Sequence, residues 1–550
     1  MYLQTRIVSS LEKVFCSERL DAESIDRLVL LRGECGSFQI ACRSEARSEV
    51  SCTLRVREGG PALTLRRLGW VPSLLPAMPD DPFILTSEPG LFPDPLMPGN
   101  RLTMVRGKWN AFWVTVAVPP DAVPGRYEVE ISLVCSACRT PWPSPPSRET
   151  SLSLTVEVLE PVLAPQRLKN TIWFYADCLL SRYQLECWSE RHWQVLEHYM
   201  RDLASHGGNM LYTPLWSVPL DTMPGTERPT VQLLKIRDEN GAYRFDFSRL
   251  ERWIDLAESC GFRYLEFSHA FTQWGAQFTP KIVVETPAGE EKRFGWHVPA
   301  DSPCYRKFLT ALLPELGALL IRRGWKERCV FHISDEPAAE HVERYRYGAE
   351  LFAELLPGFR VMDALSSPEY CRPGGCDCPV PCITAIDEFR NLDLPERWIY
   401  YCGNYQDGLP NRQFGMPSAR FRIYGVLLYL EKIDGLLNWG YNFWYSAFSL
   451  KQDLDPWHDT DADRTFCGGG SFLVYPGADG TPIDSLRFEV FREAMQDLRA
   501  LQMLEEKIGR PAVVSLIHEG LDRNITVHRY PRSAQWLLEL RERVNRELCR

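Results

Sequence analysis

Short apolar segments alternate with helical segments through the second half of the chain, and this alternation constrains the fold more than any other feature. Helical stretches fit between most of the apolar segments, although none is visible between the fifth and the sixth. Eight such units favour an α/β fold of the (β/α)8 TIM-barrel type, with a doubly wound open sheet as the alternative. The eight predicted strands are Thr171–Ala176, Asn209–Pro214, Arg263–Ser268, Cys329–Ser334, Arg360–Ala364, Cys382–Ile386, Trp398–Cys402 and Gly435–Tyr441.

The segments on either side of the predicted barrel have different patterns. Before it, apolar residues repeat with a period of two, as in Tyr127–Leu133, and turn signals such as Pro119–Gly125 separate the repeats, which predicts a β-sandwich. After it, Ser485–Glu506 has the apolar spacing of an amphipathic helix that closes the barrel. We therefore predict three parts: an all-β sandwich domain (1–165), the barrel (166–507) and a short C-terminal helical extension (508–550).

Charge and hydropathy exclude several partners. The formal net charge of −10 disfavours a broad nucleic-acid surface, which needs clustered Lys and Arg. No run of 18 apolar residues is present, so we expect no membrane span. The first 15 residues contain no apolar core of an export signal, and 18 cysteines are then typical of reduced thiols. The sequence thus predicts a cytoplasmic protein.

Motifs for the common cofactors are missing from the sequence. There is no glycine-rich phosphate loop, no GxSxG and no HExxH, which argues against nucleotide-dependent enzymes, serine hydrolases and zinc proteases. Four cysteines cluster at Cys371, Cys376, Cys378 and Cys382, but their spacing is not that of paired zinc ligands. We expect neither a metal nor a cofactor.

Two adjacent carboxylates, Asp335 and Glu336, follow the fourth predicted strand and precede Pro337. Proline cannot donate to a strand ladder, so the strand should end there. Acids at the carboxyl end of a barrel strand lie at the mouth, where such folds carry out chemistry. The alternative is that one of the two caps the next helix. Two neighbouring acids favour the catalytic interpretation.

Other strand ends carry side chains that suit a sugar site. Each of them could equally belong to the core. In a strand, successive side chains point to opposite faces, so the four residues at the end of the eighth strand (Trp439, Tyr441, Asn442 and Trp444) cannot all point inward. Together they predict a mouth with acids, one histidine and aromatic platforms for a carbohydrate substrate. The candidate substrate-binding residues are His269, Trp274, Asp387, Tyr401, Trp439, Tyr441, Asn442 and Trp444.

The acid pair comes from a single strand end, which bears on the mechanism. Conventional glycosidases hold two carboxyls on opposite sides of the scissile bond. Such a partner would have to come from another strand, and Asp387 or Glu388 is the candidate. Without it, a mechanism in which the sugar's own 2-acetamido oxygen attacks the anomeric carbon fits better. A barrel that binds sugar without turnover is a further alternative.

Six motifs follow one another along the chain: Ser268–Ala276 (SHAFTQWGA), His332–Pro337 (HISDEP), Met416–Arg422, Asn438–Trp444 (NWGYNFW), Asp459–Ala462 (DTDA) and Phe472–Gly477 (FLVYPG). In this order they resemble the catalytic domain of glycoside hydrolase family 123, and the preceding sandwich also suits that family. The resemblance implies a retaining, substrate-assisted hydrolase of β-linked N-acetylhexosamine, most directly N-acetylgalactosamine. It further implies that an ionised Asp335 orients the acetamide and that Glu336 is the acid/base.

Overall fold

Eight parallel strands form a nearly closed barrel in the computed structural model, which describes residues 3–137, 147–371, 375–403 and 407–550. Neighbouring strands follow one another along the chain, and the eighth strand pairs with the first. The seam between the sixth and seventh is joined by a single bridge, Cys382 to Tyr400. In order, the strands are Lys169–Ile172, Met210–Thr213, Tyr264–Phe267, Cys329–Phe331, Arg360–Ala364, Cys378–Val380, Trp398–Tyr400 and Gly435–Asn438.

The sixth strand differs from the prediction. It is Cys378–Val380, whereas the predicted segment Cys382–Ile386 forms a 3-10 turn that leads into the short helix Ile386–Phe389. Pro379 and Pro381 disfavour a strand here because they lack an N–H. The strand lies at the barrel seam, where few ladder bonds are needed, so it tolerates them.

The helices around the barrel do not complete a regular (β/α)8 alternation. Within the described residues, the connection after the fifth strand contains only the 3-10 turn Pro368–Cys371. The barrel helices are Ala176–Tyr183, Glu190–Ser205, Ser248–Cys260, Pro303–Arg322, Val342–Leu355, Ile386–Phe389, Ala419–Arg422, Tyr424–Leu430 and Leu486–Ile508. None of the helices in the described residues is both long and apolar enough to cross a membrane.

Long loops after the second and third barrel strands build a small four-stranded sheet above the barrel. Its strands are Lys235–Glu239, Ala242–Asp246, Ile282–Thr286 and Gly289–Phe294. A short hairpin, Val474–Pro476 with Pro482–Asp484, precedes the last barrel helix.

The N-terminal part is a sandwich of two five-stranded sheets, as the period-two pattern predicted. One sheet contains Leu3–Ser9, Cys35–Ser44, Ala62–Ser73, Gly90–Pro98 and Trp109–Ala117. The other contains Arg27–Arg32, Ser48–Arg55, Arg101–Met104, Gly125–Ala137 and Arg148–Val162. Alternate side chains such as Phe38, Val129 and Val156 are fully buried in a separate core between them.

The helix Leu486–Ile508 joins the sandwich to the barrel. The Ser485 side chain caps it by accepting a hydrogen bond from the Phe488 N–H. Its polar face is buried as well as its apolar face, because charged side chains pair across the junction. Arg66 of the sandwich binds Glu489 of this helix, for example. The C-terminal helices Arg510–His518 and Ala534–Cys549 pack against this helix, and the latter also contacts the sandwich.

Candidate active site

The acid pair lies at the carboxyl end of the fourth barrel strand, where the sequence placed it. Asp335 is 4% exposed, and Glu336 is half-buried. The two carboxyls have different partners. Gln273 donates a 2.6 Å hydrogen bond from Nε2 to Asp335 Oδ2, whereas the Tyr400 hydroxyl donates one of 2.5 Å to Glu336 Oε1. The loop after the third strand therefore binds Asp335, and the seventh strand binds Glu336.

Burial raises the pKa of Asp335 well above its ordinary value, and the neighbouring charges of Glu336 and Asp363 add to this effect. The cationic His332 and the Gln273 hydrogen bond oppose the rise. A carboxylate at this depth loses most of its hydration, and the ionised state of Asp335 stays a prediction.

A buried hydrogen-bonded network fills the barrel directly beneath the pair. His332 contacts Asp363 through Nδ1 and Glu266 through Nε2, each at 3.1 Å. The Tyr345 hydroxyl donates to Asp363 Oδ2 at 2.6 Å. These two carboxylates raise the pKa of His332 to about 9 although burial opposes it. The positive charge of His332 is therefore held between two carboxylates in the floor of the site.

Gln273 also connects the acid pair to a rim of the site. Its Oε1 accepts a 2.6 Å hydrogen bond from the Asp221 N–H. Burial raises the pKa of Asp221 to about 6, with the Phe448 and Ser449 N–H groups opposing. The Phe448 ring packs edge-on against Trp274 at 5.5 Å. Trp274 is 39% exposed, so it is the predicted platform residue best placed to meet a ligand.

Backbone strain is concentrated at this site. Asp221, Trp274, Glu336, Phe448 and Ser449 all have φ between +43° and +56°. Non-glycine residues rarely occupy this region, and strained residues cluster at functional sites because the surrounding structure holds them there for a purpose.

Several other predicted residues lie away from the acid pair. The Tyr401 ring packs on the helices, at 4.7 Å from Tyr424. Tyr441 donates to Asp202 Oδ2 at 2.6 Å on the helical side of the barrel. Trp444 is 4% exposed and packs on Tyr199. The strand ends at Asn438, so the following residues leave the barrel wall.

Three further predicted residues have partners other than the acid pair: Asn442, Asp387 and His269. Both amide atoms of Asn442 bind the backbone of Tyr175. Asp387 lies on the short helix after the sixth strand and pairs with Arg390 at 3.1 Å. Arg390 in turn binds Glu431, which precedes the start of the eighth strand.

His269 lies in the barrel interior and is fully buried. Its Nδ1 contacts the Tyr212 hydroxyl at 3.1 Å, and its ring stacks on His332 at 4.3 Å. Burial, together with the His332 charge, holds its pKa well below the ordinary value. It is therefore a neutral member of the barrel floor. Trp439, in contrast, is half-buried against Phe443 and Phe466.

Ligand atoms suited to a metal come together at two places in the described residues: His269–His332–Asp363, and Asp202–His206–Asp484. In the first group, His332 and Asp363 are bonded to each other, and in the second, Arg66 pairs with Asp484. The cysteines that the structure describes are free thiols. The absence of a metal cofactor stays a prediction.

The barrel carries an acid pair at the carboxyl end of its strands, with Asp335 buried and Glu336 in a strained backbone conformation, and this is the arrangement of a barrel enzyme. The sequence profile described as "Glycoside hydrolase 123, catalytic domain" matches residues 173–504, and the chain belongs to this glycosidase family. No curated protein sequence matches the chain.

Solved structures agree with this assignment. A family 123 glycoside hydrolase from Clostridium perfringens, described in a study of glycolipid glycan hydrolysis, has a TM-score of 0.75 at 16% identity. The match covers 100% of this chain and 97% of that one, so the two share the whole fold. A GH10 xylanase from Thermobacillus composti covers 60% of this chain at 13% identity with a TM-score of 0.32, too low to carry an argument.

Proposed function

We propose that this protein hydrolyses glycosides of β-linked N-acetylhexosamine, N-acetylgalactosamine foremost, by substrate-assisted catalysis with retention of configuration. The observation that carries the proposal is the separate anchoring of the two neighbouring acids, Asp335 by Gln273 and Glu336 by Tyr400. Two adjacent carboxyls with different partners can take different roles on one side of the sugar.

In the proposed reaction, the ionised Asp335 accepts a hydrogen bond from the acetamide N–H. The acetamide oxygen then attacks the anomeric carbon while Glu336 protonates the departing glycosidic oxygen. The bond to the aglycone breaks and a cyclic oxazolinium forms. Glu336, now a carboxylate, takes a proton from water, and the water oxygen opens the ring at the anomeric carbon. Two displacements give net retention.

Against the conventional alternative, Asp387 is exposed and pairs with Arg390, and its neighbour Glu388 is exposed as well. A different carboxylate, Asp221, is joined to the pair through Gln273. It is the residue on which a conventional glycosyl ester would be sought. The relative from Clostridium perfringens, described in a study of glycolipid glycan hydrolysis, supports a glycoconjugate substrate for this chain.

Nitrophenyl glycosides with and without the 2-acetamido group test the proposal. We expect turnover of the N-acetylgalactosaminide and at least a hundredfold lower rate for the matching galactoside, with NMR showing the β-anomer first. A thiazoline analogue of the cyclised sugar should bind more tightly than the product. Equal cleavage of both sugars, or a glycosyl ester trapped on Asp221, would contradict substrate assistance. Binding without any turnover would contradict the enzyme itself.

A further inference from the structure

Arg412 differs from every other deeply buried arginine in the described residues, since no carboxylate lies within ion-pair distance of it. Six arginines are at most 7% exposed. Five of them have carboxylate partners at 2.7–2.9 Å: Arg228 with Asp177, Arg420 with Asp81, Arg422 with Asp497, Arg487 with Asp94 and Arg541 with Glu34. Arg412 is 2% exposed and has none.

The hydrogen bonds of Arg412 are also incomplete. Nη2 donates to the carbonyls of Gly440 and Gly470, at 2.7 and 2.9 Å. Nε and Nη1 make no hydrogen bond of good geometry in the described residues although water cannot reach them, and their aromatic neighbour is Tyr401, whose ring centroid lies 5.8 Å from the guanidinium carbon. An ionised group that is buried without counter-charge or hydrogen bonds is strongly unfavourable, so these two donors point to a missing acceptor.

A second cation, Lys13, lines the same small space as Arg412. Lys13 donates from Nζ to the carbonyls of Phe414 and Gln413, at 2.8 and 3.4 Å, and has no carboxylate within ion-pair distance among the described residues. Burial lowers the pKa of Lys13 to about 7 and that of Arg412 to about 10. Asp94 is the closest balancing acid that acts on Lys13, and it already pairs with Arg487.

Lys13 and Arg412 line one small space between the sandwich and the barrel, and Arg487, which pairs with Asp94, lines it as well. Lys13 comes from the sandwich, after its first strand, and Arg412 from the loop after the seventh barrel strand. The Ser418 hydroxyl lines the same space and has no partner in the described residues. The space has room for about one particle of water size. A neutral water could accept hydrogen bonds there but could not balance the positive charge of Arg412.

We propose that this space is a binding site for a single small monovalent anion, a halide such as chloride, held by Arg412 and Lys13 with the Ser418 hydroxyl as a further donor. Its Lys13 ligand belongs to the sandwich and its Arg412 ligand to the barrel, so the bound anion ties the two parts together. The site does not involve the acid pair. Anion binding there stabilises the junction between the sandwich and the barrel.

The experiment uses the full chain exchanged into potassium gluconate and then titrated with sodium chloride or bromide at constant ionic strength. We expect the unfolding temperature to rise and saturate, by about 2–4 °C, because the anion binds only the folded state. Arg412→Gln and Lys13→Met should remove the rise. Arg420→Gln is the matched control, since it lowers stability by breaking an equally buried pair with Asp81 but should keep the full halide response.

Crystals of the unaltered protein soaked in bromide give a readout that does not depend on the variants folding. We expect an anomalous difference peak between Arg412 and Lys13. A water without anomalous signal at this position overturns the proposal. So does a rise that fails to saturate, or one that survives in Lys13→Met, because the halide then acts as a general salt or binds elsewhere.

Discussion

The hydroxyl of Tyr400 donates a hydrogen bond of 2.5 Å to Glu336, and so connects the seventh barrel strand to the loop after the fourth. The next residue, Tyr401, points to the opposite face and packs on Tyr424. Two adjacent tyrosines of one strand therefore have different environments, and a matched pair of substitutions can separate them.

We expect Tyr400→Phe to lower kcat by about 10–100-fold, the range for losing a hydrogen bond to a charged group. Tyr401→Phe is the control, because its hydroxyl has no partner in the described residues and its loss should leave kcat within about twofold. Steady-state kinetics on a nitrophenyl substrate measures both. Equal losses in the two variants would show that Tyr400 acts through packing only.

The two acids should fail in different ways when they are replaced. Glu336→Gln removes the proton donor, so activity on poor leaving groups should fall about 10²–10⁴-fold and far less on substrates whose leaving group needs no proton. Asp335→Asn impairs the attack of the acetamide, so activated substrates should suffer as well. Rates on a series of aryl leaving groups distinguish the two. An identical leaving-group dependence in both variants would refute the assigned roles.

The acid pair could be predicted because its place follows from topology: a strand, its carboxyl end and a proline that ends it. The choice between Tyr400 and Tyr401 could not, because strand ends are uncertain by a residue and one residue reverses the direction of a side chain. Tyr441 failed for a related reason, since the strand stops at Asn438.

The rim of the site carried no recognisable signal in the sequence. Asp221 lies in a long loop after the second strand, and only the folded chain brings its N–H to Gln273. Gln273 itself was visible beside Trp274 but resembled any polar loop residue. The network of His332 with Asp363 was hidden because both read as strand residues of an apolar barrel core. Partners that depend on long-range closure of the barrel have no local pattern.

The raised pKa of Asp335 predicts the acidic limb of the pH profile. If the ionised form is active, kcat/KM should fall as pH falls through a pKa well above the ordinary aspartate value. The Gln273 hydrogen bond favours the carboxylate, so Gln273→Leu should raise that pKa further and move the limb to higher pH. Gln232→Leu, a buried glutamine bonded to the Leu234 and Val283 carbonyls, should leave it in place. An unmoved limb in Gln273→Leu would rule out Asp335 as its source.

His332 should make stability depend on pH in a defined direction. Its folded pKa of about 9 exceeds the unfolded value of 6.5, so its contribution is complete below pH 6.5 and is lost as pH rises through 9. The advantage in unfolding temperature over His332→Gln should therefore be largest near pH 6 and shrink by pH 9. His458→Gln, at an exposed histidine, should show no such trend. A constant difference across this range would mean that His332 is not held as a cation.

Two tryptophans from the predicted platform now separate into a ligand contact and a packing residue. Trp274 is 39% exposed beside the acid pair. Its backbone N–H donates to the backbone carbonyl of Asp335 at 2.9 Å. Its indole can be lost without opening the core, so Trp274→Ala should raise KM about tenfold, near the upper end of what an aromatic contact contributes, and leave the unfolding temperature nearly unchanged. Trp444 is 4% exposed and donates from Nε1 to the Val474 carbonyl. Trp444→Ala should instead lower stability by about 3–5 kcal/mol and leave the KM of the folded fraction unchanged. Kinetics and thermal unfolding of the same preparations test both, and a KM effect confined to Trp444→Ala would reverse the assignment.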